Sequence, residues 1–169
     1  MDINWPLILN CATLISLLVA IISLIMQSRS TKFTTDINVL LELENIFNGK
    51  LMLETRKKAS RALLSHKKLQ DVEGVLDFFE TIGLLVRKGA VDHEMVNNEF
   101  SDYAYCYWIA SQEYIKQIRS KDPNYWINYD GLIKIMNKVN DQTYNNSSYL
   151  PSKDDINELL LVESKRVVS

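Results

Sequence analysis

Two histidines, His66 and His93, are all the imidazole in this 169-residue chain, and one of them closes an Arg-x4-His motif, Arg61-Ala62-Leu63-Leu64-Ser65-His66. In general, guanidinium is a rigid fork that matches phosphate and imidazole exchanges a proton near neutral pH. Helical geometry nevertheless separates the two. His66 projects with Met52, Ala59, Ala62 and Leu63, whereas Arg61 falls with Lys50, Lys57, Lys58 and Lys68 in an arc of roughly 100°. That basic stripe is a solvated face, a seat for anionic lipid headgroups or a contact for a nucleic-acid backbone. His93, beside the helix-capping Asp92, is expected to be solvated. No metal-ligand set, P-loop, nucleophile elbow or dinucleotide fingerprint occurs, and five glycines leave no loop of amides to cradle a phosphate. No metal and no cofactor are therefore expected, and the census points away from an enzyme of classical type. Arg56 lies at the margin of one apolar helix face and Glu80 at the margin of the next. A charge so placed needs a partner, so these two are expected to form a structural ion pair.

The elements that must hold these residues are helical. Five Gly and three Pro are too few for a many-turned β fold, and no run alternates convincingly. The pattern predicts a bundle over 36–140. Asp36 caps a helix ending at Asn48-Gly49, a second runs from about Lys50 to His66, and Asp71 opens a third that ends at Lys88-Gly89. Asp92 opens the longest helix, with Val96, Phe100, Ala104, Tyr107, Ser111 and Tyr114 among the residues of its core stripe. Asp122-Pro123 stops that helix and starts a fifth. Residues 141–151, rich in Asn and Ser, read as a loop, and Ser152 caps a last helix over 152–164. Tyr105 and Ile109 lie off the core stripe of the long helix and are expected to form an apolar surface between copies.

Ahead of the bundle, Leu7 to Met26 is twenty residues without a charge, enough to cross a hydrocarbon core at 1.5 Å per residue. The chain is thus expected to be all-α, with one transmembrane helix over 5–28, a juxtamembrane linker over 29–35 and about six helices behind it. Asp2 before the run, with Arg29 and Lys32 after it, places the N-terminus outside and the bundle in the cytoplasm, as a single-pass protein of a bacterial inner membrane. Cys11 and Cys106 make no disulfide framework, which suits a reducing compartment. Within the span, Asn10, Thr13, Ser16, Ala20, Ser23 and Gln27 share one face, while Leu and Ile fill the others. Small and polar residues on one face let membrane helices approach and hydrogen-bond, so a homo-oligomer in contact with lipid is expected; a ring of such faces could line a pore.

The stretch Leu76-Asp77-Phe78-Phe79-Glu80-Thr81-Ile82-Gly83-Leu84-Leu85-Val86-Arg87-Lys88-Gly89, with Tyr105-Cys106-Tyr107-Trp108, Pro123 and Trp126, resembles a bacterial family known only as a domain of unknown function. That resemblance implies a membrane helix followed by a small helical domain, and supplies no activity. The Arg-x4-His motif resembles that of the helical HEPN ribonucleases. There the arginine steadies a scissile phosphate and the histidine assists the attacking hydroxyl across a dimer interface; the resemblance carries those roles to Arg61 and His66. Many of those enzymes place a polar residue directly after the arginine, where this chain has Ala62. The architecture also resembles the small membrane accessory proteins of RNA-targeting type VI-B CRISPR systems, which implies pore formation in antiviral defence beside a CRISPR effector. Three functions stand open: an oligomer that permeabilises the membrane, a membrane-tethered ribonuclease acting on nucleic acid, and a passive anchor or scaffold for a cytoplasmic protein.

Overall fold

Seven α-helices and one 3-10 turn make up the computed structural model, with no strand among the described residues. It describes the backbone of residues 5–143 and 150–167 and the side chains of 19–142 and 150–167. The helices are α1 (Trp5–Asn48), α2 (Lys50–Ser65), α3 (Glu73–Arg87), α4 (His93–Ala110), α5 (Gln112–Arg119), α6 (Ile127–Thr143) and α7 (Lys153–Lys165), with the 3-10 turn Leu69–Val72 before α3. The chain divides into two compact units, Met1–Asn38 and Val39–Ser169.

In the first unit every described side chain from Val19 to Thr35 is exposed, including Val19, Ile21, Ile22, Leu24, Ile25 and Met26. The linker expected at 29–35 is helical instead. No Gly or Pro interrupts it, and Thr34 and Thr35 return their hydroxyls to the carbonyls of Ser30 and Thr31 at 3.1 and 2.9 Å. Asp36 accordingly caps nothing; it lies inside α1, with its carboxylate 4.0 Å from Lys32 Nζ. Among the described residues no helix is long and apolar enough to cross a membrane. The span expected at 5–28 falls mostly on residues 5–18, whose side chains lie outside the described residues.

In the second unit some local signals hold and one does not: Asp71, expected to open the third helix, lies inside the 3-10 turn, and α3 begins at Glu73 behind Val72 with no side-chain cap. The Asp92 carboxylate accepts from the amides of Glu94 and Met95 at 2.9 and 3.1 Å, and Ser152 with Asp155 forms a capping box at the start of α7. Two expectations fail for backbone reasons. The long helix is broken at Ser111, whose ψ of 0° steps out of the helical basin, so α4 and α5 are separate. The next helix begins at Ile127 rather than at Pro123, because Trp126 takes φ 52° and turns its buried indole inward, where Nε1 donates to Asp77 at 2.8 Å. Arg119 ties down the carbonyls of Tyr125 and Trp126 at 2.8 and 3.0 Å, and its guanidinium lies 5.6 Å from the Trp108 ring.

Around Phe47, the rings of Phe78, Phe79, Phe100 and Tyr103 pack at centroid distances of 4.9 to 6.1 Å. α3 is the central strut and lies along α6 so closely that a Cβ at Gly83 would drive into the backbone carbonyl of Asn128. Gly83→Ala is therefore expected to destabilise the unit by about 2 to 3 kcal/mol, read by chemical denaturation, since the obstacle is backbone and cannot rotate away. A wild-type midpoint would show that the two helices slide apart without cost.

Candidate functional site

α2 presents three cations to α7, and each has a separate task. Lys57 Nζ donates to the carbonyl of Arg166 at 2.8 Å and Arg61 Nε to that of Ser164 at 3.1 Å. Both satisfy carbonyls at the C-terminal end of α7, where the helix dipole favours positive charge. Arg56 is wholly buried, with Nε 3.1 Å from Glu163 Oε2; Arg166 reaches the other oxygen of Glu163 at 2.8 Å. The Arg56 guanidinium also lies over Phe47 at 3.9 Å and near Tyr103 at 5.2 Å. Burial pushes its pKa down, and the Glu163 carboxylate opposes that shift.

The pair expected between Arg56 and Glu80 is thus replaced by Arg56 and Glu163. Glu80 is engaged elsewhere, accepting from Asn128 Nδ2 at 2.6 Å and the Tyr129 amide at 2.8 Å; it caps the start of α6 from a neighbouring helix. A signal for Glu163 does exist in the sequence. Ile156, Leu160 and Glu163 follow i, i+4, i+7, which sets a carboxylate on the buried face of the last helix.

Arg61 and His66 are not brought to one site. Arg61 is exposed and directed to the end of α7, whereas His66 ends α2 at φ 53°, exposed, at the rim of a cavity of about 540 Å³. Leu63, Ile109, Ile156 and Leu160 are among that cavity's other walls. Of the remaining basic stripe, Lys50, Lys58 and Lys68 are exposed and Lys57 is half-buried. The isolated protein is expected to leave RNA intact in a metal-free cleavage assay. Cleavage that disappears in both Arg61→Ala and His66→Ala would contradict this.

Tyr105 is not an exposed interface residue. It is fully buried between α4 and α6, where its hydroxyl donates to Asn137 at 2.8 Å and accepts from Asn140 at 3.2 Å, and burial pushes its pKa up to about 12. α4 meets α3, α6 and α7, so little of its circumference is left for solvent. Ile109 is half-buried at the cavity just described. The buried Cys106 thiol is pushed up to about 11 by desolvation, which suits a packing residue rather than a nucleophile. Among the described residues no group of His, Cys, Asp and Glu could hold a metal ion. Of the polar stripe of the first helix, Ala20, Ser23 and Gln27 are exposed; the side chains of Asn10, Thr13 and Ser16 lie outside the described residues.

The family model of a domain of unknown function, DUF4760, matches residues 10–136. The chain belongs to this family. The DUF4760 match takes in the Phe-Phe-Glu stretch, the aromatic run of α4 and the Pro123 to Trp126 turn, and it ends inside α6. α7, with Glu163, lies beyond it. No curated protein and no solved structure matches the chain.

Proposed function

We propose that this DUF4760 protein is a single-pass membrane anchor carrying a non-catalytic helical domain, with its N-terminus outside and the domain in the cytoplasm, and that copies associate through the polar face of the membrane helix. The carrying observation is the uncharged run Leu7 to Met26, bounded by Arg29 and Lys32, whose described part exposes Val19, Ile21, Ile22, Leu24, Ile25 and Met26. Exposed apolar side chains at this density, interrupted between Val19 and Met26 only by Ser23, call for lipid or a partner helix. The separation of Arg61 from His66 supports a non-catalytic domain, since it removes the one pair the sequence offers for phosphate chemistry within a single chain. Association through Asn10, Thr13, Ser16, Ala20, Ser23 and Gln27 follows from the preference of small and polar residues for helix contacts in lipid. A closed ring of such helices would hold water at its centre and leak ions.

The test compares the detergent-solubilised wild type with Thr13→Leu, Ser16→Leu and Ser23→Leu combined. The variant raises hydrophobicity, so insertion is preserved. Wild type is expected to run as an oligomer and to make liposomes leak, and the variant to run as a monomer and leave them tight. A monomeric wild type without leak would reduce the protein to a passive anchor.

A further inference from the structure

The cavity at His66 has two chemically distinct layers. Its floor is aliphatic: Leu63 of α2 with Ile156 and Leu160 of α7 are buried there, and Ile109, near the end of α4, is half-buried. These side chains offer water no polar partner, and a cavity walled by Leu and Ile prefers an apolar occupant to solvent. The volume of about 540 Å³ lies within the roughly 300–1,000 Å³ of small-molecule sites. Among the described residues no Phe, Tyr or Trp lines it, although rings crowd the core around Phe47, so the wall suits an aliphatic chain rather than a stacked ring.

The rim is polar, and its charge has one sign. His66, Lys153 and Asn157 are exposed there, and no carboxylate is among the described lining residues. Among the described residues neither His66 nor Lys153 is paired with an acid. His66 is held at the rim by the end of α2, where φ 53° turns the chain and its amide donates to the Leu63 carbonyl at 3.3 Å. A second cavity, of about 340 Å³ between α4 and α7, has the opposite character, with Asp102, Asp155 and Glu158 in its lining. An anion is drawn to the first cavity and repelled from the second.

We propose that this cavity binds a free straight-chain carboxylic acid, its chain against Leu63, Ile109, Ile156 and Leu160 and its carboxylate between His66 and Lys153. Burial of the chain supplies the affinity, and charge-assisted hydrogen bonds from imidazole and ammonium fix which end points outward. No arginine fork stands at the rim, so the head is served by two single donors, which suits one compact charge. Every lining residue belongs to the unit Val39–Ser169, so the proposal does not depend on the membrane helix.

The test uses the full chain in phosphatidylcholine nanodiscs, isotope-labelled at histidine Cε1. The two imidazoles report separately in its magnetic resonance spectrum, and His93, which lines a different cavity, is the control. Sodium decanoate below its micelle concentration is expected to shift the His66 resonance saturably and leave that of His93 in place. Decanol and decylamine should bind about tenfold or more weakly, because each lacks the anionic head. Lys153→Glu reverses the rim charge at an exposed position in the first turn of α7, where the helix dipole favours a carboxylate and folding is preserved. It should weaken decanoate binding about tenfold or more. Ala110→Phe, which sets a ring into the cavity from its half-buried wall, should abolish the shift. An unmoved His66 resonance, equal binding of acid, alcohol and amine, or decanoate binding untouched by Lys153→Glu overturns the proposal. So does a His66 shift that appears without decanoate when phosphatidylglycerol is mixed into the nanodisc, since the occupant would then be a membrane lipid.

Discussion

Glu163→Ala is expected to destabilise the helical unit by about 3 to 5 kcal/mol, because it strands a buried guanidinium. Arg56 has no exposure, and Glu163 is the one carboxylate paired with it among the described residues. With that carboxylate gone, the faces of Phe47 and Tyr103 remain, and cation–π attraction returns only about 2 kcal/mol even when desolvated. The ring contacts thus offset part of the loss and cannot cover it. Replacing both charges by apolar residues, as in Arg56→Met with Glu163→Met, removes the desolvation cost together with the attraction, so the double variant is expected within about 1 kcal/mol of wild type or above it. Urea denaturation of the three proteins reads the comparison. A Glu163→Ala midpoint equal to that of the double variant would show that water or another group reaches Arg56.

The same ion pair marks where the sequence stops being informative. Caps at Asp92 and Ser152 are legible because each acts on amides two or three residues away, and the apolar stripes of Val96, Phe100, Ala104 and Tyr107 are legible because a helix repeats locally. Arg56 and Glu80 are both recognisable as charges in need of partners. Which partner each finds depends on which helices lie side by side, and no local spacing encodes that α7 returns across α2. Tyr105 is missed for a related reason. A helix covered on several sides has no single core stripe, and the Tyr105 hydroxyl and the amides of Asn137, Asn140 and Asn97 hydrogen-bond to one another in a way composition alone disguises as surface. Arg61 and His66 share a motif and a helix end, yet Arg61 is directed to the end of α7 while His66 leaves the helix at φ 53°, so the two meet different neighbours.

Leu18→Arg with Ile22→Arg is expected to abolish insertion, since each charge at the centre of a span costs about 2.5 to 3.5 kcal/mol and two together exceed what the flanking apolar residues regain. The protein should then leave the membrane fraction on alkaline extraction, while Thr13→Leu with Ser16→Leu and Ser23→Leu stays there. A span that tolerates both arginines is one that never entered lipid. The exposed Val19, Ile21, Leu24 and Ile25 would in that event need a protein partner instead.

The most direct test of the anchor is its sidedness. In a chain whose Cys11 and Cys106 are serine, a single cysteine is placed by Asp2→Cys or by Ser169→Cys, and intact cells are treated with a thiol reagent that does not cross the inner membrane. Asp2 before the uncharged run and Arg29 with Lys32 after it predict labelling at position 2 and none at position 169 until the membrane is broken. Labelling at position 169 in intact cells, or protection of both positions alike, would contradict a single-pass anchor with its helical domain in the cytoplasm.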